Sequence, residues 1–222
     1  MAWDPKWEEV FQKQHWGKYP PEDLIRFVAR NYYHAQDRAS VRILEVGCGP
    51  GANLWYMARE GFSVYGIDGS RTAVEQATAR LDAECPGWTG DIQVGDIMSL
   101  PYADATFDAV IDCEAICCNS FEDSRAIIQE IARVTKPGGK FFSRTFATGC
   151  WGEGTGEPLG YRAWRVTEGP IANKGYARFT DQADLPALLN GFHLEELELL
   201  SRTMGGLQHT IREWLIVGLR QS

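Results

Sequence analysis

From residue 41 onward, short apolar runs alternate with segments whose apolar residues recur every three or four positions. The first pattern predicts buried strands and the second predicts amphipathic helices. The predicted strands cover 41–46, 63–68, 91–96, 107–113, 140–146, 194–200 and 211–219. The predicted helices cover 72–81, 126–134 and 180–189, with one more beginning after residue 51. This alternation favours an α/β fold, in which helices cover both faces of a parallel sheet.

Two segments depart from the alternation. Before residue 41, apolar positions follow helical spacing in two stretches that Pro20 and Pro21 separate, so we expect two helices, the second beginning near Pro21. Between Ala147 and Tyr176 the chain is rich in Gly, Trp and Tyr and shows no clean periodicity. A long stretch without regular structure is typical of a lid or a binding loop.

Length and charge narrow the class of protein. A chain of 222 residues predicts one domain, and its net charge of −8 without a basic block disfavours a nucleic-acid-binding surface. No apolar stretch approaches the ~20 residues that a membrane-spanning helix needs, and the segment 1–6 does not resemble a signal peptide. Six cysteines without paired Cys-x-x-Cys motifs predict free thiols, no metal site and a reducing, cytoplasmic location.

The first predicted strand ends in a distinctive turn. Three glycines follow it at alternate positions: Gly47, Gly49 and Gly51. Such a turn lets a ligand approach the bare backbone, and Glu45 supplies a carboxylate beside it, which suits a nucleoside-bearing cofactor. Two alternatives stay open at this point. The glycines could serve a tight turn alone, and together with Ala52 they also satisfy a loose dinucleotide-binding pattern.

Acidic residues follow three further predicted strands. Asp68 ends the second strand, Asp96 precedes Ile97 at the end of the third, and 112–114 (Asp-Cys-Glu) ends the fourth. Ligands of parallel sheets bind beyond the carboxyl ends of the strands, where Asp68 could accept hydrogen bonds from ribose hydroxyls and Asp96 from an adenine amino group, with Ile97 covering the base. Each acid alone could instead cap a helix, but together they favour a nucleoside site.

These features resemble the motifs of class I S-adenosylmethionine-dependent methyltransferases, of the small-molecule, methyltransferase-11-like type. The resemblance rests on five segments in the family's order: 43–51, 64–68, 95–102, 107–110 and 133–139. It spans about 41–146 and resumes at 178–180. It implies a Rossmann-like, seven-stranded, mostly parallel sheet with an antiparallel last strand and helices on both faces. It also implies S-adenosylmethionine as the cofactor.

The resemblance also implies site residues by position. Glu45 would lie near the methionine amino group or order the turn, and Cys113 would lie near the methionine moiety. The cofactor-binding residues implied in the core are Glu45, Gly47, Gly49, Gly51, Asp68, Gly69, Asp96, Ile97 and Cys113. In many relatives the N-terminal helices cover the cofactor, so Trp16 and Tyr19 could cap the site, although packing alone also explains them.

Catalytic and substrate-binding residues are less specified. Glu114 is the acid nearest the expected methyl group and could act as a base or position an amine, although a solvated acid at a strand end is the alternative. His15 and His209 are the other candidate catalytic residues. Aromatic and basic residues after residue 143 could bind a planar or anionic small molecule. Alternatively, they form a hydrophobic flap that only covers the apolar core of that segment. The substrate-binding candidates are Arg144, Trp151, Trp164 and Arg165.

The sequence therefore predicts a cytoplasmic, single-domain enzyme that transfers a methyl group to a small molecule and binds neither nucleic acid nor membrane. Its four predicted parts are an N-terminal helical cap (1–40), a cofactor-binding core (41–146), a substrate flap (147–178) and a C-terminal helix and strands (179–222). A nicotinamide-dependent oxidoreductase and a non-catalytic cofactor-binding module are the alternatives. The acceptor atom and the oligomeric state stay open.

Overall fold

The computed structural model describes residues 3–221. Its helices are α1 (Lys6–Lys13), α2 (Glu22–Tyr32), α3 (Ala52–Arg59), α4 (Arg71–Glu84), α5 (Phe121–Val134) and α6 (Leu185–Leu188). Its strands are β1 (Arg42–Val46), β2 (Ser63–Asp68), β3 (Thr89–Val94), β4 (Phe107–Cys113), β5 (Thr135–Phe146), β6 (Glu157–Gly160), β7 (Ala163–Arg165), β8 (Ala177–Arg178), β9 (Phe192–Met204) and β10 (His209–Arg220).

Seven strands form one sheet in the order β3-β2-β1-β4-β5-β10-β9. Neighbouring strands from β3 to β5 are parallel, whereas β10 is antiparallel to both β5 and β9. The predicted fold class is thus confirmed, including the reversed last strand. Because the order reverses between β1 and β4, a crevice opens beyond the carboxyl ends of these two strands.

Both faces of the sheet are covered, as the continuous apolar runs of the central strands predict. On β1, Leu44 and Val46 pack in a buried cluster that includes apolar residues of α5 and α6. Ile43 points to the opposite face and packs with residues of α2, α3 and α4. The alternation of side chains along a strand therefore distributes one apolar run between two helical layers.

The segment 147–178 contains a second, smaller sheet. The strands β6, β7 and β8 pair antiparallel in that order, and a third buried cluster around Val166 and Phe179 lies beneath them. The prediction of a stretch without regular structure is therefore wrong. The strands are four, three and two residues long, too short for an alternating pattern to emerge from the sequence.

The predicted helix 180–189 is also corrected. Thr180 is not its N-cap, because the first helical residue is Gln182; the Thr180 N–H donates to the Phe146 carbonyl oxygen (2.8 Å). The Asp181 carboxylate instead caps a short 3-10 turn, and only the four residues of α6 are α-helical. Elsewhere, the predicted turn at 136–139 lies within β5 as a bulge, because Phe107 pairs with Thr135 whereas Ala109 pairs with Lys140.

Candidate active site

A cavity of about 390 Å³ lies beyond the carboxyl ends of β1, β2 and β4. One wall is the glycine turn after β1, and residues of the following strand ends continue it. Helix α1 and the segment 16–21 cover the cavity, while residues 170–174 of the flap close one side. The cavity therefore lies where the reversal of strand order places ligands in this class of sheet.

The glycine turn brings bare backbone to the cavity. Gly47 (φ +65°) and Gly49 (φ +50°) both line it in left-handed conformations that favour glycine. A Cβ atom at Gly47 would lie 2.2 Å from the Cβ of Ala115. Any side chain at this position would therefore collide with the loop that follows β4.

Glu45 presents a buried carboxyl group to this cavity. The side chain is 2% exposed, and its Oε1 accepts a hydrogen bond from Asn53 Nδ2 (2.6 Å). Its Oε2 is buried and has no hydrogen-bond partner within residues 3–221. Burial, with smaller contributions from Asp68 and Asp112, raises the pKa of Glu45 to about 8. A bound cation or hydrogen-bond donor would satisfy this oxygen.

Asp68 orders the glycine turn, and its carboxylate oxygens can still accept hydrogen bonds from a ligand. Its Oδ2 accepts a hydrogen bond from Gly49 N (2.8 Å), and its Oδ1 accepts one from Ser70 N (2.8 Å). Burial raises its pKa above the ordinary value. Because each carboxylate oxygen has two lone pairs, both oxygens can still accept from vicinal hydroxyl groups. Gly69, the next residue, also lines the cavity and packs against the indole ring of Trp3.

The end of the third strand contributes one of its two predicted residues. Ile97 is buried and lines the cavity, where its side chain can cover a planar base. Asp96 is not among the lining residues, and its Oδ1 accepts a hydrogen bond from Met98 N (3.0 Å). The structure therefore brings Ile97 to the site, while Asp96 orders the loop beside it.

At the fourth strand end, Cys113 and Glu114 line the cavity. Glu114 adopts φ +64°, a conformation that is rare outside glycine, and its N–H donates to the Arg144 carbonyl oxygen (2.8 Å). Its Oε1 lies 3.6 Å from Arg144 Nε, but the guanidinium donates to both carboxylate oxygens of Glu213 (3.0 and 2.6 Å). Burial and the neighbouring Glu213 raise the pKa of Glu114 well above its usual range.

The cover of the cavity is aromatic. Trp16 and Tyr19 both line it, and Trp16 makes edge contacts with Trp7 and Phe11 of α1 (centroids 5.7 and 5.5 Å apart). Helix α1 is held over β2 by Glu8, whose Oε2 accepts from Ser70 Oγ (2.5 Å). Several further residues line the cavity that the sequence motifs did not indicate, although some of them belong to the apolar face of the first predicted helix. These include Trp3, Asp4, Trp7, Phe11, Asn53, Phe146 and Lys174.

Three predicted residues near the cover and the flap lie elsewhere. His15 is exposed after α1 and does not line the cavity. His209 lies at the start of β10, where its ring stacks on that of Trp151 (centroids 3.9 Å apart). Neither of these two residues lines the cavity. The structure therefore gives no support to the predicted roles of His15, His209 and Trp151 in the site.

Three more predicted residues serve the fold. Trp164 packs against Phe179 under the small sheet, with their ring centroids 5.9 Å apart. Arg165 is exposed and forms an ion pair with Glu157. Gly51 (φ +77°) precedes α3, and a Cβ atom there would lie 2.8 Å from that of Ala77. Its role is to let α3 and α4 pack closely. None of the three lines the cavity.

Two negative observations hold for residues 3–221. No group of three or more His, Cys, Asp or Glu side chains is placed to hold a metal ion. None of the helices in that range has the length and apolar character that crossing a membrane requires.

Comparisons with known proteins agree with this geometry. A family model described as a methyltransferase domain matches residues 43–139. The chain is also 31% identical over 135 residues to methyltransferase GfsG from Streptomyces halstedii, covering 57% of this chain and 48% of that protein. The chain carries a methyltransferase domain of the class I, S-adenosylmethionine-dependent family. The predicted family is therefore confirmed, as is the predicted cofactor, which is that of this family.

Solved structures support the same fold for the methyltransferase domain. Magnesium protoporphyrin IX methyltransferase from Synechocystis PCC 6803, with bound S-adenosylmethionine, is 16% identical with a TM-score of 0.64 over 97% of this chain and 80% of that one. The [4+2]-cyclase SpnF is 20% identical with a TM-score of 0.67, over 98% and 92% of the two chains. Fold similarity alone therefore does not determine the reaction.

The chain spans about half the length, or less, of most of the curated relatives it matches. Those relatives include an O-methyltransferase, an N-methyltransferase and a C-methyltransferase. These comparisons therefore do not determine which atom of an acceptor would be methylated.

Proposed function

We propose that the protein transfers the methyl group of S-adenosylmethionine to a small-molecule acceptor that binds in the same cavity. The observation that carries the proposal is the carboxyl group of Glu45, a residue that lines the cavity beside Asp68 and the glycine turn and whose buried Oε2 has no partner within the described residues. A ligand with a cationic amino group and two vicinal hydroxyls matches these acceptors. The methionine and ribose parts of S-adenosylmethionine carry these groups.

The two ends of the cavity have separate roles in this proposal. Glu45, Asp68 and Ile97 hold the cofactor, with Gly47, Gly49, Gly69 and Cys113 beside it. The cofactor supplies a methyl group that its sulfonium already activates. The chain has to align the acceptor with that methyl group and exclude water, which the aromatic cover formed by Trp16 and its neighbours favours. Glu114 faces the acceptor and can take up its proton.

Several observations support a small acceptor in the cytoplasm. A cavity of about 390 Å³ lies in the range of small-molecule sites, and α1 together with the flap restricts access to it. The net charge of −8 disfavours a nucleic-acid substrate. All six cysteines are free thiols, as in proteins of reducing compartments.

Two measurements test the proposal. Calorimetry should detect S-adenosylhomocysteine binding to the purified protein, and the Glu45→Gln variant should bind it more weakly. With radiolabelled S-adenosylmethionine and a cell extract, label should enter the small-molecule fraction. Label that enters nucleic acid or protein instead would contradict the acceptor class. Cofactor binding without any label transfer would favour a non-catalytic module, and the absence of binding would refute the proposal.

A further inference from the structure

We propose that the acceptor is an organic amine and that its nitrogen is methylated, with Glu114 pairing with the amine and receiving its proton. This inference rests on the proposed function and adds the chemical class of the substrate. It is supported by the charges and the backbone around Glu114, which define the acceptor end of the cavity, and by the aromatic residues that line the cavity.

The positive charge nearest to Glu114 is already paired. Arg144 donates two hydrogen bonds to the carboxylate of Glu213, which is 1% exposed, whereas its Nε lies 3.6 Å from Glu114 Oε1. Its Nη1 also lies 3.8 Å from Asp23 Oδ2. The guanidinium group of Arg144 therefore lies near three carboxyl groups, and both of its hydrogen bonds among them are made to Glu213. An anionic substrate would not find Arg144 free.

Other cations lie on the outer side of this cluster. Arg26 lies 3.8 Å from Asp23 and is partly exposed, and the charge of Arg202 lowers the pKa of Glu213. Lys174 lines the cavity, but its Nζ donates to the Pro170 carbonyl oxygen (2.9 Å). The ionised form of Glu114 is therefore compensated in part only, in keeping with its raised pKa. A cationic group in the cavity would stabilise this ionised form, whereas a carboxylate would oppose it.

Several contacts fix the main chain at Glu114 and in the turn that follows it. The Asp112 Oδ1 accepts hydrogen bonds from the N–H groups of Ala115 and Ile116 (3.0 Å each), which fixes the turn after Glu114. The Sγ atoms of Cys117 and Cys118 lie 3.2 and 3.4 Å from the Glu114 carbonyl oxygen. A left-handed conformation at a residue other than glycine, such as the φ of +64° at Glu114, is strained, and such strain is concentrated at ligand sites. The strain at Glu114 is therefore consistent with a role in binding a ligand.

The cavity that Glu114 lines also has aromatic walls, which suit an organic cation. Phe146, Trp7, Phe11 and Trp16 all line the cavity, and aromatic faces attract ammonium groups. The Lys174 Nζ lies 5.1 Å from the Trp16 ring centroid, which shows that this ring already accepts a cation. An amine with an apolar body matches both the carboxyl group and the rings.

The proposed step balances. The ammonium form of the acceptor gives one proton to a Glu114 carboxylate oxygen, which leaves a nitrogen lone pair. That lone pair forms the new N–C bond with the methyl group as the C–S bond of the sulfonium breaks. The electron pair of the broken bond stays on sulfur, so the products are an N-methylammonium and a neutral thioether.

The test uses acceptors that share one body and differ in the polar group. Benzylamine, 2-phenylethylamine and tryptamine are compared with the alcohols and carboxylates of the same bodies. Binding is measured by calorimetry in the presence of S-adenosylhomocysteine, and products formed with S-adenosylmethionine are identified by mass spectrometry. We expect the amines to bind more tightly than their counterparts and to be methylated on nitrogen.

Variants connect the preference to Glu114. Glu114→Gln should weaken amine binding at least about tenfold, whereas Glu114→Asp, which keeps the charge, should retain the preference for amines. Glu75→Gln is the matched control, since Glu75 is exposed on α4 and does not line the cavity. Urea unfolding establishes that each variant is folded.

Three outcomes would overturn the inference. These are tighter binding of an alcohol or carboxylate than of its amine, no binding of any amine, or equal amine affinity in wild type and Glu114→Gln. The affinity of the wild type for S-adenosylhomocysteine is measured first. If that affinity is present and the amines fail, the acceptor class is wrong and the proposed function stands.

Discussion

Replacing Glu45 with Gln should stabilise the ligand-free protein by about 3 kcal/mol at pH 7. The Glu45 carboxyl group is 2% exposed, and its Oε2 lacks a partner within residues 3–221. Gln has the same shape, and its carbonyl oxygen can keep the hydrogen bond that Glu45 accepts from Asn53. The difference between the two proteins then lies in the ionisation of Glu45.

The magnitude follows from the pKa of Glu45, which burial raises from 4.5 to about 8. Between these two values the native state holds a proton that the unfolded chain releases, so wild-type stability falls as the pH rises. The slope approaches about 1.4 kcal/mol per pH unit, and the two and a half units between 4.5 and pH 7 give the figure of about 3 kcal/mol. Below pH 4.5 both states are protonated and the contribution is fully present.

Urea unfolding of both proteins from pH 4 to pH 8 measures this effect. The curves of unfolding free energy against pH should coincide near pH 4 and diverge steadily up to about pH 8, with Glu75→Gln following the wild type. A constant difference at all pH values, or none at pH 7, would refute the argument that Glu45 is buried without compensation. The same substitution should weaken S-adenosylhomocysteine binding, because a bound cationic amino group favours the ionised form of Glu45 and Gln cannot supply that charge.

Three further predictions concern other positions. Asp68→Ala should weaken S-adenosylhomocysteine binding by about 1–3 kcal/mol, because ribose hydroxyls lose their acceptor; an unchanged calorimetric affinity would disprove this assignment. Because burial and Glu213 raise the pKa of Glu114, methyl transfer should increase with pH above the usual carboxyl range, and Glu114→Gln should abolish that increase in kcat/KM. Gly51→Ala should lower the unfolding free energy by at least about 1–2 kcal/mol, since φ is +77° and the new Cβ atom would lie 2.8 Å from that of Ala77; an equal urea midpoint would contradict this.

The cavity wall that contains the glycine turn, Glu45 and Asp68 could be predicted because its signals are local in sequence. Gly47, Gly49 and Glu45 lie within five residues at the end of one strand, and Asp68 ends the next strand of a pattern whose parallel sheet places strand ends together. Periodicity and glycine spacing therefore specify both the fold and this part of the site.

The acceptor end depends on contacts between distant residues. Arg144 looks like a free cation in the sequence, but the pairing of β5 with β10 places it beside Glu213, 69 positions away. Likewise, the apolar face of α1 is visible in the sequence, whereas its position over the cavity depends on the contact of Glu8 with Ser70. Local patterns do not contain this information.

The reversal of β10 has a practical consequence for handling the protein. Since Glu213 pairs with Phe146 and Leu219 with Lys140, the last residues of β10 lie beside the first half of β5. They are therefore at the end of the strands that is opposite the cavity. Trp3, by contrast, is part of the cavity wall. An affinity tag joined after residue 222 would stay clear of the ligands. Only two residues would separate Trp3 from a tag joined before residue 1, so such a tag should be cleaved before any binding experiment.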